Sequence, residues 1–125
     1  HCRAQDYSLI HLVTPTTPQD RMLRIAESSS GFIYFVSVTG ITGERSELPK
    51  DLVSKVTWLR ERTKLPICIG FGISKVEHVK LLAPVADGLI VGSAIVRKLA
   101  EHANPKDGIA AVSVLAEQLI EAMNG

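Results

Sequence analysis

Two glycine-bearing stretches carry the strongest chemical signal in the sequence. Gly70-Phe71-Gly72-Ile73-Ser74 ends the apolar run at residues 66–70, and Gly92-Ser93-Ala94 ends the run at residues 88–91. Glycine lets bare backbone amides face outward, and each stretch leads directly into a helical pattern. A helix N-terminus adds unsatisfied N–H groups and the positive end of the helix dipole. Two such turns at the ends of neighbouring strands would converge on one anion, for which phosphate is the best fit. Either turn alone is weak, because glycine often merely ends a strand. The pair, together with a short extra helix after the second turn, makes phosphate binding the favoured reading.

The remaining polar residues offer less. Thr14-Pro15-Thr16-Thr17 reads as a tight turn and a helix cap. The connection from Ser37 to Pro49 is long, polar and rich in small residues where two to six would suffice. It is either a closing lid or a plain surface loop. Phe71, between two glycines at a strand end, is either core or the wall of an aromatic pocket. Tyr34, mid-strand, either lines a pocket or packs in the core with one partner for its hydroxyl. Trp58 lies off the apolar stripe of its helix and reads either as partly exposed, the favoured reading, or as part of an interface. His1, His11, His78 and His102 lack metal-ligand spacing, so no metal site is expected, and His11 reads as a core histidine. Cys68, in an apolar run without a basic neighbour, reads as an inert thiol. Asp87 precedes its strand, and Asp51, Glu61, Glu77 and Glu117 read as solvated helix faces. The sequence has no G-x-S-x-G, Walker A or G-x-G-x-x-G motif. No acid falls at the C-terminal end of a strand, so the residues hold a ligand without offering a general acid or base, and no catalytic residue is assigned.

The elements that must position these turns follow from periodicity. Four nearly continuous apolar runs, at residues 9–13, 32–36, 66–70 and 88–91, read as strands buried on both faces of a parallel sheet. Helical patterns separate them. Thr17-Pro18 predicts an N-cap with proline at the first helical position. Pro49 opens a helix with Leu52, Val53, Val56 and Leu59 on one side. Ser74-Lys75-Val76-Glu77 predicts a capping box before Val79 and Leu82. Gly92-Ser93-Ala94 starts a short helix, and Asn104-Pro105 starts a last one carrying Ile109, Val112, Ala116, Leu119 and Met123. Strand starts recur at roughly 20 to 35 residues, the size of a βα unit. This α/β order fits a small doubly wound sheet or half of an eight-unit barrel, which takes about 250 residues.

Length and composition bound the reading. The 125 residues suffice for a single domain, 1–125, with one core. A net charge of +1 with both signs mixed argues against nucleic acid and anionic membrane surfaces as partners. No apolar run approaches the ~20 residues of a membrane span. Two cysteines are too few for a disulfide framework, so a reducing, cytoplasmic setting is expected. The chain opens on His1 rather than Met, which reads as a piece of something longer.

Three stretches together resemble the tryptophan synthase alpha subunit. They are residues 32–43 (FIYFVSVTGITG), 66–74 (PICIGFGIS) and 87–96 (DGLIVGSAIV), in that family's order and spacing; residues 14–18 also resemble its turn after strand five. The resemblance covers essentially the whole chain and implies a (β/α)8 TIM barrel, of which these residues would be about the last four βα units. It implies a lyase that cleaves indole-3-glycerol phosphate to indole and glyceraldehyde 3-phosphate. It also implies a beta-subunit partner in an alpha2-beta2 complex, in which the beta subunit carries pyridoxal phosphate. Carried over, Gly43, Gly72, Gly92 and Ser93 would bind the substrate phosphate. Tyr34 and Phe71 would line the pocket, and Thr42 would sit on the closing loop. The family's catalytic glutamate and aspartate lie in its N-terminal half, so this stretch is expected to be a C-terminal half-barrel without them. Another phosphate-binding barrel enzyme and a non-catalytic half-barrel module are the rival readings. An isolated half-barrel, with two open strand edges, is expected to self-associate.

Overall fold

The computed structural model describes residues 2–37 and 48–125. After a single turn of 3-10 helix at Arg3–Gln5, the chain alternates strands and helices. They are β1 (Leu12–Val13), α1 (Gln19–Ser28), β2 (Ile33–Val36), α2 (Leu52–Arg60), β3 (Ile67–Gly70), α3 (Val76–Leu82), β4 (Gly88–Ile90), α4 (Ser93–Ala100) and α5 (Pro105–Asn124). Each strand falls within an apolar run of the sequence. The first is shorter than its run, although the backbone just before it still bonds across: His11 O accepts from Tyr34 N at 3.0 Å.

The four strands form one parallel sheet in the order β1-β2-β3-β4. That order decides between the two architectures. A doubly wound sheet reverses direction at a switch point and so places helices on both faces. Here every strand is added on the same side of the last, and right-handed crossovers then put all the helices on one face. The burial pattern agrees. Val13, Ile33, Phe35, Ile67 and Ile69 are fully buried and join Met22, Leu52, Val56, Leu59, Val79, Leu82 and Leu119 of the helices in one core. Burying each large apolar side chain contributes about 1.5–3 kcal/mol.

The opposite face carries Leu12, Tyr34, Cys68 and Gly88 in one register row and Val36, Gly70 and Ile90 in the next. No helix of the described residues covers it, and Leu12 remains 57% exposed. This is half of a barrel wall, with helices outside and the interior face open.

At the N-terminal end of the sheet, Asp87 acts as a clasp. Its carboxylate accepts from Ile67 N at 2.9 Å and pairs with Arg60 at 3.0 Å, while its own N–H donates to Ile67 O. Asp87 thus has a structural role at the end of the strand away from the ligand-binding edge.

Several local expectations are corrected. Pro18, not Thr17, occupies the N-cap position of α1, and the Thr17 hydroxyl instead accepts from Thr14 N. The capping box at Ser74 and Glu77 does not form. Lys75 takes the N-cap position of α3 without a side-chain cap, and Ser74 N donates to the His78 ring at 3.4 Å. Pro49 begins a turn, its carbonyl accepting from Leu52 N at 3.0 Å, rather than opening α2, which begins at Leu52. His11 is only half-buried and lies beside the sheet edge rather than in the core. Asn104 caps α5 as expected, accepting from Lys106 N at 3.0 Å.

Candidate functional site

Parallel pairing brings the two glycine turns together. Gly70 pairs with Ile90 across β3 and β4. Gly72 and Gly92 each lie two residues further on, so both turns emerge side by side at the C-terminal edge. In barrels this is the edge where ligands bind.

The first turn has unusual backbone geometry. Phe71 and Gly72 both have positive φ, +76° and +72°. Glycine adopts that region freely, but a bulky aromatic residue does so only when its surroundings impose it. Ile73, 2% exposed, anchors the far side of the turn in the core. Phe71 itself is 60% exposed. Tyr34 lies on the open face, and its ring occupies the space directly over Gly70. Both residues read as pocket candidates therefore border the strand-end turns.

The second turn is a helix start. Gly92 takes the N-cap position of α4, and its carbonyl accepts from Ile95 N and Val96 N. The amides of Ser93 and Ala94 belong to the first turn of α4, where N–H groups have no intrahelical acceptor. Gly92 and Ser93 are exposed, and nothing lies within 4 Å of where a Cβ on Gly92 would sit. Thr42 and Gly43, the other two expected site residues, lie outside the described residues.

Sequence reading placed Ser37 in the connecting loop and gave it no role. In the structure its side chain is fully buried at the end of β2. Its N–H donates to Gly70 O at 2.8 Å, and its single hydroxyl proton lies between two carbonyls, Gly70 O at 2.8 Å and Phe71 O in contact with it. A serine closing an apolar strand is the one signal that marked it.

The other reactive groups are quiet. Burial, and then the nearby Asp87 carboxylate, push the Cys68 thiol above its ordinary pKa, which disfavours the thiolate. Trp58 is half-buried against the core with the Arg62 guanidinium 4.5 Å from its ring centre, a packing role. No group of three or more potential metal ligands occurs among the described residues. A groove of about 940 Å³ lies between α3 and the end of α5, lined by Val76, Lys80, Pro84, Glu121 and Met123 among others. None of the strand-end residues lines it, so the converging amides and not this groove mark the candidate site.

A family model described as tryptophan synthase alpha chain matches residues 1–124. The chain belongs to this family. The tryptophan synthase alpha chain of Rhodopirellula baltica is 68% identical over 100 residues, covering 80% of this chain and 36% of that protein. Among solved structures, a mutant tryptophan synthase alpha-subunit from Pyrococcus furiosus superimposes with a TM-score of 0.78 at 31% identity, over 95% of this chain and 47% of that one. Tryptophan synthase from M. tuberculosis gives a TM-score of 0.77 at 25% identity, over 98% and 43%. The chain thus spans less than half the length of each of these relatives. The half-barrel is accordingly half of the family's TIM barrel. These matches do not favour a different phosphate-binding barrel or a stand-alone module.

Proposed function

We propose that these residues form the phosphate-binding end of a tryptophan synthase alpha subunit, a carbon–carbon lyase that cleaves indole-3-glycerol phosphate to indole and glyceraldehyde 3-phosphate. The observation that carries this reading is the side-by-side emergence of the Phe71-Gly72 turn and the α4 N-terminus from paired strands. Amides of Gly72, Gly92 and Ser93, with the Ser93 hydroxyl, would hold the phosphate, reinforced by the positive end of α4. Gly43 would add a further contact from the loop, and Thr42 would help to close that loop. Tyr34 and Phe71 would wall the indole ring.

The chemistry needs a proton placed on the indole ring and another removed from the glycerol chain as the bond between them breaks. Among the described residues no carboxylate stands at a strand's C-terminal end for either task. In this reading the acid/base pair belongs to the part of the relatives that this chain does not span. This segment then contributes ground-state binding and orientation, which position the scissile bond.

The same reading makes a beta subunit carrying pyridoxal phosphate the partner that consumes indole, in an alpha2-beta2 complex in the cytoplasm. The test is indole release from indole-3-glycerol phosphate by the polypeptide that carries these residues, followed with stoichiometric glyceraldehyde 3-phosphate. Release of both products is expected; turnover of another sugar phosphate without indole would overturn the proposal.

A further inference from the structure

We infer that Ser37 is a positioning residue for the phosphate site, acting through the orientation of a single peptide group; this rests on the phosphate-binding reading above. The described peptide bonds are all trans. In a trans peptide the C=O and the N–H point in opposite directions. The Phe71 carbonyl is in contact with the hydroxyl of Ser37, which is fully buried beneath the turn at the end of β2. With Phe71 O turned inward to Ser37, the N–H of Gly72 in the same peptide must turn outward, toward the edge where the α4 N-terminus also emerges.

The hydroxyl is the part of Ser37 with this role. Gly70 O already accepts the Ser37 backbone N–H at 2.8 Å, a ladder-like bond that any residue other than proline would make. Only a side-chain donor reaches on to Phe71 O. The alternative, a flipped peptide, would bury the Gly72 N–H and aim a carbonyl at the ligand, repelling an anion. A flip of this peptide rotates ψ of Phe71 and φ of Gly72, and glycine accepts either sign of φ, so the backbone alone does not fix the orientation. The Ser37 hydroxyl thus selects the orientation that presents a donor at Gly72.

The test compares wild type, Ser37→Ala and Ser37→Thr in the polypeptide that carries these residues. The readout is the Kd for glycerol 3-phosphate. Ser37→Ala is expected to weaken binding about tenfold, the scale of one hydrogen bond to a charged ligand. Ser37→Thr keeps the hydroxyl and is expected to weaken binding less than about twofold. An equal penalty in both variants, or none in either, would overturn the inference. A variant-free check follows the Gly72 amide by NMR in the unsubstituted protein. The amide is expected to exchange rapidly without ligand and to shift on adding glycerol 3-phosphate. A Gly72 amide protected without ligand, in a protein whose Ser93 amide does shift, would refute the peptide orientation while leaving the phosphate site intact. A protein that binds no glycerol 3-phosphate at all would overturn the site itself, and this inference with it.

Discussion

At Gly70 a single missing methyl group decides whether the open face can hold an aromatic ring. A Cβ built on Gly70 would overlap the Tyr34 ring, including its hydroxyl-bearing end. Gly70 is buried and the neighbouring strands fix its backbone, so the ring would have to leave its place. Gly70→Ala is expected to lower stability by about 1–3 kcal/mol, the usual cost of overpacking. The midpoint of a urea titration reads this, and an unchanged midpoint would show that the ring moves freely. The glycines around Phe71 were legible as a backbone turn because few other roles explain two glycines flanking an aromatic residue. The left-handed conformation of Phe71 itself was not legible, since bulky side chains disfavour it. Nor was the role of Ser37, whose hydroxyl reaches a carbonyl 33 residues away in sequence. No local periodicity encodes such a contact.

Helix ends tell apart what spacing does and does not determine. Asn104-Pro105 opens α5 as sequence alone requires, because proline at the first helical position fixes φ and the preceding asparagine supplies the cap. Asn104→Ala removes the acceptor of the Lys106 amide and is expected to cost about 1 kcal/mol, read as a lowered thermal midpoint. No change in midpoint would mean that water replaces the cap fully. The same logic failed for α3. Ser74 and Glu77 have the right types and separation, but the chain stays extended through Lys75, at φ −132° and ψ 151°, so the helix starts too late for the box. One residue of extension, set by where β3 and its turn deliver the chain, overrode a local preference. Strands were read more reliably than caps, because a face packed under helices fixes which residues of each run are buried, although the other face of this sheet is left uncovered.

Among the described residues the sheet is open at both edges. β1 and β4 each pair there on one side only, and apolar side chains stand exposed near β1, among them Leu9 at 42%, Ile10 at 38% and Leu12 at 57%. Further apolar surface on the helices, Val96 at 66%, Ile109 at 62% and Ile120 at 60%, lies outside the core. Unpaired strand edges template pairing with another chain. Residues 1–125 expressed alone are therefore expected to self-associate, with β1 of one copy beside β4 of the next in a two-fold arrangement. Sedimentation equilibrium measures this directly, and a stable monomer across the micromolar range would contradict it. Sequence periodicity left two architectures possible. The order of pairing settled the matter, and pairing order depends on long-range contacts that apolar runs do not specify.

The most direct test of the central claim is a titration of glycerol 3-phosphate into the polypeptide that carries these residues, in the unsubstituted form and as Gly72→Asp and Gly92→Asp. Gly92 has open space for a side chain, and aspartate is among the residues that best tolerate the left-handed backbone of Gly72, so both variants are expected to fold. Each would set a carboxylate among the amides assigned to the phosphate. The account predicts saturable binding by the unsubstituted protein, weakened at least about tenfold in either variant, with folding checked by circular dichroism. Equal affinity in all three proteins would contradict it.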